Sequence, residues 1–348
     1  MAKNLWAQRA IGLAVLGLAG LMAGCGSSDG LRVKEVGSYH VGGRTHTLSG
    51  APVREITYTP GAPPTKINPN GDLAVEQMYT RYTRLVDPRG KVPLLMWHGG
   101  GLAGVTFETK PDGGPGWEMF FLKAGWDVYV SDAVERGRAS WARYPEIFKT
   151  EPVFRTGKEA WELFRFGKTY DSDPAKRVAL PGTLFPIDHF EQFTKQGIPR
   201  WATNDAATQA AYDQYVEKAC PCVILVHSQG GNFAFNAALK HPDKVKAIVA
   251  VETSGSPDPA TTDFARLRGV PMLWVWGDYL EDYDFWRSIF ARQEAFRQGL
   301  QKAGGRGDVI VMPRLGVKGN SHMIMMDRNS DQVAQHIQKW LAEQGLLK

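Results

Sequence analysis

The sequence predicts an α/β fold: a mostly parallel central sheet flanked by helices. Two observations carry this. Short apolar runs recur along the chain, and in the C-terminal half helix-like stretches alternate with them at the spacing of strand–helix–strand units. A third supports it, because one run passes into its helix through a Gly-Gly turn.

Taken in order, residues 32–59 alternate polar and apolar side chains with Gly punctuation, the pattern of antiparallel strands at a sheet edge. Residues 60–70 are rich in Pro, Asn and Gly and read as a loop. The run Val92-Pro93-Leu94-Leu95-Met96-Trp97 is continuously apolar, as in a strand buried on both faces. A helix is expected over 117–124 and a second buried strand over 127–130. Beyond them, strands are expected at 223–226, 247–251, 272–276 and 309–312, and helices at 230–240, 285–303 and 331–343. Residues 142–204 break this rhythm. They carry many aromatics, among them Trp161, Phe164, Phe166, Phe185, Phe190 and Trp201, and lie between two core strands. That block is expected to be an inserted cap over a pocket.

The 348 residues are 43% hydrophobic, 22% charged and 11% aromatic, which argues for a sizeable core and against disorder. The formal net charge is +5. Removing Lys3 and Arg9 leaves 39 basic against 36 acidic residues, or +3. With no Lys/Arg cluster, nucleic acid is not an expected partner. Only one long apolar run exists, at the N-terminus, which excludes a polytopic membrane protein.

Lys3 and Arg9 precede 14 apolar and small residues at 11–24, the length of a secretory signal. This signal ends in Leu21-Met22-Ala23-Gly24-Cys25, which resembles a bacterial lipobox. The expectation is a cleaved signal over 1–24, a lipid on Cys25, a tether over 25–30 and a catalytic domain from 31 to 348. The protein would then be an exported lipoprotein touching the membrane only through its lipid. Ordinary secretion is the alternative. Only Cys220 and Cys222 remain, so no metal-ligand cluster is present and no metal or organic cofactor is expected. An exported protein could oxidise this pair, but cysteines two apart close a small ring. Two small buried residues at a strand entrance are expected instead.

The chemistry concentrates where Val226-His227-Ser228-Gln229-Gly230-Gly231 turns from strand into helix, the setting of a nucleophile elbow. Ser228 is the candidate nucleophile. Of the eight histidines, His322 lies in the loop between the last strand and the last helix, at the sheet's carboxyl edge, which makes it the candidate base. Two carboxylates also end buried strands at that edge. They are Glu252, after 247–251, and Asp278, one glycine after 272–276, with Asp282 a further option. Position alone does not choose, although the more familiar arrangement would use Asp278. His98-Gly99-Gly100-Gly101 follows the 92–97 strand, where a backbone N–H can approach an oxyanion. Gly100 and Gln229 are the expected donors.

A resemblance now becomes specific. The stretch from His98 to Thr109, then Pro111-Asp112-Gly113, Gly116-Trp117 and Arg136-Gly137-Arg138, resembles a bacterial serine esterase family of α/β-hydrolases. His227-Ser228-Gln229-Gly230-Gly231, Glu252 and Gly319-Asn320-Ser321-His322-Met323 continue the likeness in order. This family places a glutamate after strand six in place of an aspartate after strand seven, so the resemblance implies Ser228, His322 and Glu252 as triad. It departs at Gly100 and Gly101, where a member of that family has two adjacent cysteines. The implied activity is hydrolysis of small or apolar carboxylic esters through an acyl-enzyme. A lactonase or amidase with the same triad is the near alternative, and a catalytically inactive binding lipoprotein the distant one.

Overall fold

Each short apolar run needs partners for its backbone groups, and the runs find them in one eight-stranded sheet. In this computed structural model, residues 30–141 and 143–348 are described. The expectations for the signal and for Cys25 lie outside them. The sheet strands are β1 (Val33–Leu48), β2 (Gly71–Leu85), β3 (Leu94–Trp97) and β4 (Val128–Asp132), then β5 (Cys222–His227), β6 (Val245–Val251), β7 (Met272–Trp276) and β8 (Gly307–Val311). Their spatial order is β1-β2-β4-β3-β5-β6-β7-β8. β2 runs antiparallel to β1 and β4, and every later pairing is parallel.

Helices α1 (Trp117–Lys123), α2 (Asp205–Ala219), α3 (Gly230–Lys240), α4 (Asp284–Lys302) and α5 (Ser330–Glu343) cover the sheet. On one face, Tyr212 and Tyr215 of α2, Phe235 of α3 and Phe296 of α4 share a core with Trp97, Ile224, Ile248 and Trp274. On the other, α1 meets α5, where the Trp117 indole donates to the Ser330 carbonyl at 3.0 Å. Strands covered on both faces alternate nothing, which is why β3, β5, β6 and β7 read as unbroken apolar runs.

Two elements were not anticipated. β2 hides its period because its buried side switches phase between Val75 and Met78 and again between Thr80 and Thr83, with Glu76 in left-handed backbone at a φ of 65°. α2 carries Ala, Gln and Thr on a weakly amphipathic surface. The expected loop over 60–70 contains a short strand, Thr65–Ile67, paired with Arg54–Ile56. A further correction concerns Cys220 and Cys222, which are joined by a disulfide. The turn from α2 into β5 brings their Cα atoms to 4.4 Å, within bridging range, despite the small ring.

Residues 143–204 form an insertion with two short helices, Gly157–Leu163 and Phe190–Thr194, and a small ribbon of Gly167–Thr169 with Val178–Ala179. Its aromatics make a core of their own. Phe166 stacks on Phe185 at 3.7 Å between ring centres, and Trp161 meets Phe190 edge-on at 5.0 Å. Main-chain bonds stitch it to the loop after β8: Leu184 donates to the Gly319 carbonyl at 2.7 Å, and Arg328 to the Leu184 carbonyl at 2.9 Å.

Because Phe166 is fully buried at the centre of this cluster, Phe166→Ala should cost about 3–5 kcal/mol of unfolding free energy. Urea denaturation measures it. A loss under about 0.5 kcal/mol would mean that the aromatic cluster contributes little to stability.

Candidate active site

Register determines what can meet at the carboxyl edge. Val251 of β6 pairs with His227 of β5, so the next residues, Glu252 and Ser228, leave neighbouring strands at one level. Both then turn through left-handed backbone, with φ of 52° at Ser228 and 49° at Glu252. Non-Gly residues pay roughly 1–3 kcal/mol for such geometry, and here it is held by main-chain bonds. Ser228 donates to the Val251 carbonyl, while Gly231 and Ser254 donate to the Ser228 carbonyl, each at 3.1 Å. Crowding requires glycine beyond the turn: a Cβ on Gly230 would lie 2.7 Å from the His98 carbonyl oxygen.

The half-buried Ser228 Oγ lies 3.0 Å from His322 Nε2, and His322 Nδ1 lies 3.1 Å from Glu252 Oε2. Asp278 is not in that line. Its carboxylate accepts from the N–H of Tyr279 at 2.7 Å and of Gly319 at 2.8 Å, and its own N–H donates to the Asn320 carbonyl. It thus clamps the loop that carries His322. Asp282 is exposed on a 3-10 turn. Of the carboxylates singled out in the sequence, Glu252 alone bonds the imidazole.

The glycine loop sits against the elbow. A Cβ on Gly99 would lie 2.8 Å from Ser228 Cβ, and one on Gly100 would lie 2.6 Å from Gln229 Oε1. His98, buried, accepts the Ala133 N–H at Nε2 (3.0 Å), so its Nδ1 carries the proton and donates to the Gly99 carbonyl at 2.8 Å. In a planar trans peptide this turns the Gly100 N–H to the opposite side. Burial holds the His98 pKa down to about 4, which preserves that neutral form. Among the described residues, neither the Gly100 nor the Gln229 N–H donates to a backbone carbonyl.

Sequence reasoning missed the residues that support this set. Arg165, from the insertion, is fully buried and donates through Nη2 to Glu252 Oε1 at 2.7 Å and through Nε to the Asp278 carbonyl at 2.8 Å. Its guanidinium lies 4.7 Å from the Trp286 ring centre, and Trp286 in turn packs on His322 at 4.3 Å. The Gly277 N–H gives Glu252 Oε1 a second donor at 2.5 Å. The insertion also takes up the His322 N–H on the Phe164 carbonyl at 3.0 Å. His227 Nε2 bonds the His322 carbonyl at 3.0 Å. Asp327 receives the Ser321 N–H and hydroxyl and the Asn320 amide, while burial pushes its pKa up to about 6. The available signal was Arg165 itself, a charge between Phe164 and Phe166 in an apolar block, which must find a partner if buried.

Burial raises the Glu252 pKa, and Arg165 pulls it back down. Burial also holds the His322 pKa well below the ordinary histidine range, with Arg165 and then Arg155 adding to the depression. At neutral pH the imidazole is therefore free to accept a proton.

This geometry has counterparts. The family described as the alpha/beta hydrolase fold matches residues 221–301, from the β5 entrance through most of α4. A solved structure of a novel bacterial esterase is 32% identical, with a TM-score of 0.77, and the match covers 90% of this chain and 97% of that one. A probable secreted lipase of Fungal sp. (strain ATCC 74256) is 23% identical over 318 residues, 74% of this chain and 84% of the lipase.

Removing the charge of Arg165 frees both members of the buried pair to bind protons more tightly. Arg165→Gln should therefore move the acid limb of any His322-dependent activity to higher pH, while Arg165→Lys, which keeps a cation, should move it less. Profiles of kcat/KM against pH test this. Reduced activity with an unmoved limb would reduce Arg165 to a packing role.

Proposed function

As the chain belongs to the α/β-hydrolase family, we propose that it is a serine carboxylesterase working through an acyl-enzyme. The supporting observation is the continuous line from Ser228 Oγ through the His322 imidazole to Glu252, with links of 3.0 and 3.1 Å. Ser228 attacks the ester carbonyl while His322 Nε2 takes its proton. Glu252 fixes the Nδ1–H tautomer and stabilises the imidazolium. The N–H groups of Gly100 and Gln229 receive the oxyanion, each worth roughly 3 kcal/mol in the transition state. His322 then returns its proton to the leaving alcohol. Water, activated by the same base, attacks the acyl-enzyme and releases the acid.

We further propose that the protein is exported and anchored by a lipid on Cys25. The Leu21-Met22-Ala23-Gly24-Cys25 sequence supports this, and the name of the fungal relative is consistent with export. A single acyl chain holds a protein only marginally, whereas a multiply acylated cysteine holds it firmly.

Ser228→Ala should lower kcat by roughly 10⁴-fold or more with the fold intact by circular dichroism. Glu252→Gln should lose about 10⁴-fold, and Asp278→Asn should stay within about tenfold of the parent. Hydrolysis of p-nitrophenyl esters of increasing chain length measures all three, and the reverse ranking of the two acids would restore Asp278 as the triad member.

For the anchor, mass spectrometry of the mature N-terminus from a lipoprotein-processing host should find residue 25 first and acylated. An unmodified Cys25 would leave ordinary secretion.

A further inference from the structure

Arginines gather around the glycine loop with too few acids to match them. Arg200, at the end of the insertion, makes no side-chain hydrogen bond or ion pair among the described residues, and its Nε is buried without a partner. Its Nη1 lies 3.2 Å from where a Cβ on Gly100 would stand, next to Gln229 Oε1. Arg155 comes from the other side. Its Nε lies 3.6 Å from the same construction on Gly101 and is also buried and unbonded. Its guanidinium covers Phe164 at 5.0 Å, the ring that packs on His322.

The acids nearby are already engaged or turned elsewhere. Glu159 pairs with Arg155 at 2.8 Å but is half exposed, while Glu252 is taken by Arg165 and His322. Arg136, with Glu135 and Asp205 in its field, donates to the Pro199 carbonyl. Burial, then the charge of Arg200, brings the Arg136 pKa down to about 10. Burial and Arg200 likewise depress Arg155, against Glu159. Arg200 thus faces two like charges and, among the described residues, pairs with no carboxylate. Small cavities flank the loop, one reaching Arg136 and Gln229, the other Arg155 and Phe164.

Main-chain bonds pre-set this arrangement. Ile198 donates to the Gly101 carbonyl at 2.9 Å, and Val153 and Arg200 exchange both their backbone bonds. The two arginines are therefore delivered to the loop by one paired segment of the insertion. A guanidinium whose donors no other described residue takes up suits a carboxylate, which it can meet through paired, charge-assisted bonds.

We propose that Arg200, with Arg155, forms a subsite for a carboxylate carried by the ester substrate a few bonds from its scissile carbonyl. This inference rests on the esterase reading above. The favoured substrate is a half-ester of a short dicarboxylic acid, and a neutral ester of equal size is the poorer one.

The test compares monoethyl succinate with ethyl levulinate, its uncharged isostere, by ethanol release. The kcat/KM ratio should favour the half-ester by about tenfold or more, mostly through KM, and should shrink with added salt. Arg200→Gln should lower that ratio about tenfold and Arg200→Lys less, with Arg155→Gln a second, independent reduction. A ratio at or below one in the parent overturns the subsite. So does an equal kcat loss on both esters in Arg200→Gln with the ratio unchanged, which would place Arg200 on the oxyanion. Turnover of neither ester while a fluorophosphonate still labels Ser228 also overturns the subsite and leaves the nucleophile standing. Absence of labelling removes the esterase reading as well.

Discussion

A carboxylate with no access to water has to be compensated at every oxygen, and Glu252 is such a carboxylate. Leaving a buried charge unpaired costs several kcal/mol, enough to protonate the group or open the structure. Here Oε2 faces the imidazole, while Oε1 is shared by the Gly277 N–H and the Arg165 guanidinium. Two of these partners come from the body of the fold, and the third comes from a segment inserted between β4 and α2. The same segment supplies the Phe164 carbonyl that holds the His322 backbone. The choice of acid and the presence of the insertion are therefore a single structural decision.

Strand register explains the division of labour between the two carboxylates. Glu252 leaves β6 at the level where Ser228 leaves β5, whereas Asp278 emerges beyond Trp276, which Gly277 separates from it. A glycine is required there, because a Cβ on Gly277 would lie 2.8 Å from the Asn320 carbonyl and 3.0 Å from Glu252 Oε1. Asp278 uses both carboxylate oxygens on backbone N–H groups, of Tyr279 and of Gly319 in the loop that carries His322. An acid at the familiar position braces the loop that carries His322.

What was legible in the chain follows from how local each signal is. The doubly covered strands announce themselves as apolar runs, and the elbow is readable because strand, serine and paired glycines are contiguous. His322 could be singled out because its loop follows the last strand. β2 was not legible, since its buried side switches phase between Val75 and Met78 and again between Thr80 and Thr83, which breaks the alternation. Choosing between Glu252 and Asp278 needed register, which no single segment encodes. The role of Arg165 needed a contact spanning 87 positions of sequence. The disulfide was hidden for a different reason: ring size argues against it, while the turn that closes it depends on where α2 docks.

The placement of Arg165 has a further consequence for how such a protein can be remodelled. In many architectures a lid is an accessory that can be trimmed, swapped or opened to change what enters. Here the inserted segment carries the buried counter-ion of Glu252 and the backbone acceptor of His322. To lift it bodily would break the Arg165–Glu252 and His322–Phe164 contacts together. Grafting a relative's segment in its place would transplant part of the charge balance along with the walls. A change in that segment is thus also a change at Glu252 and His322.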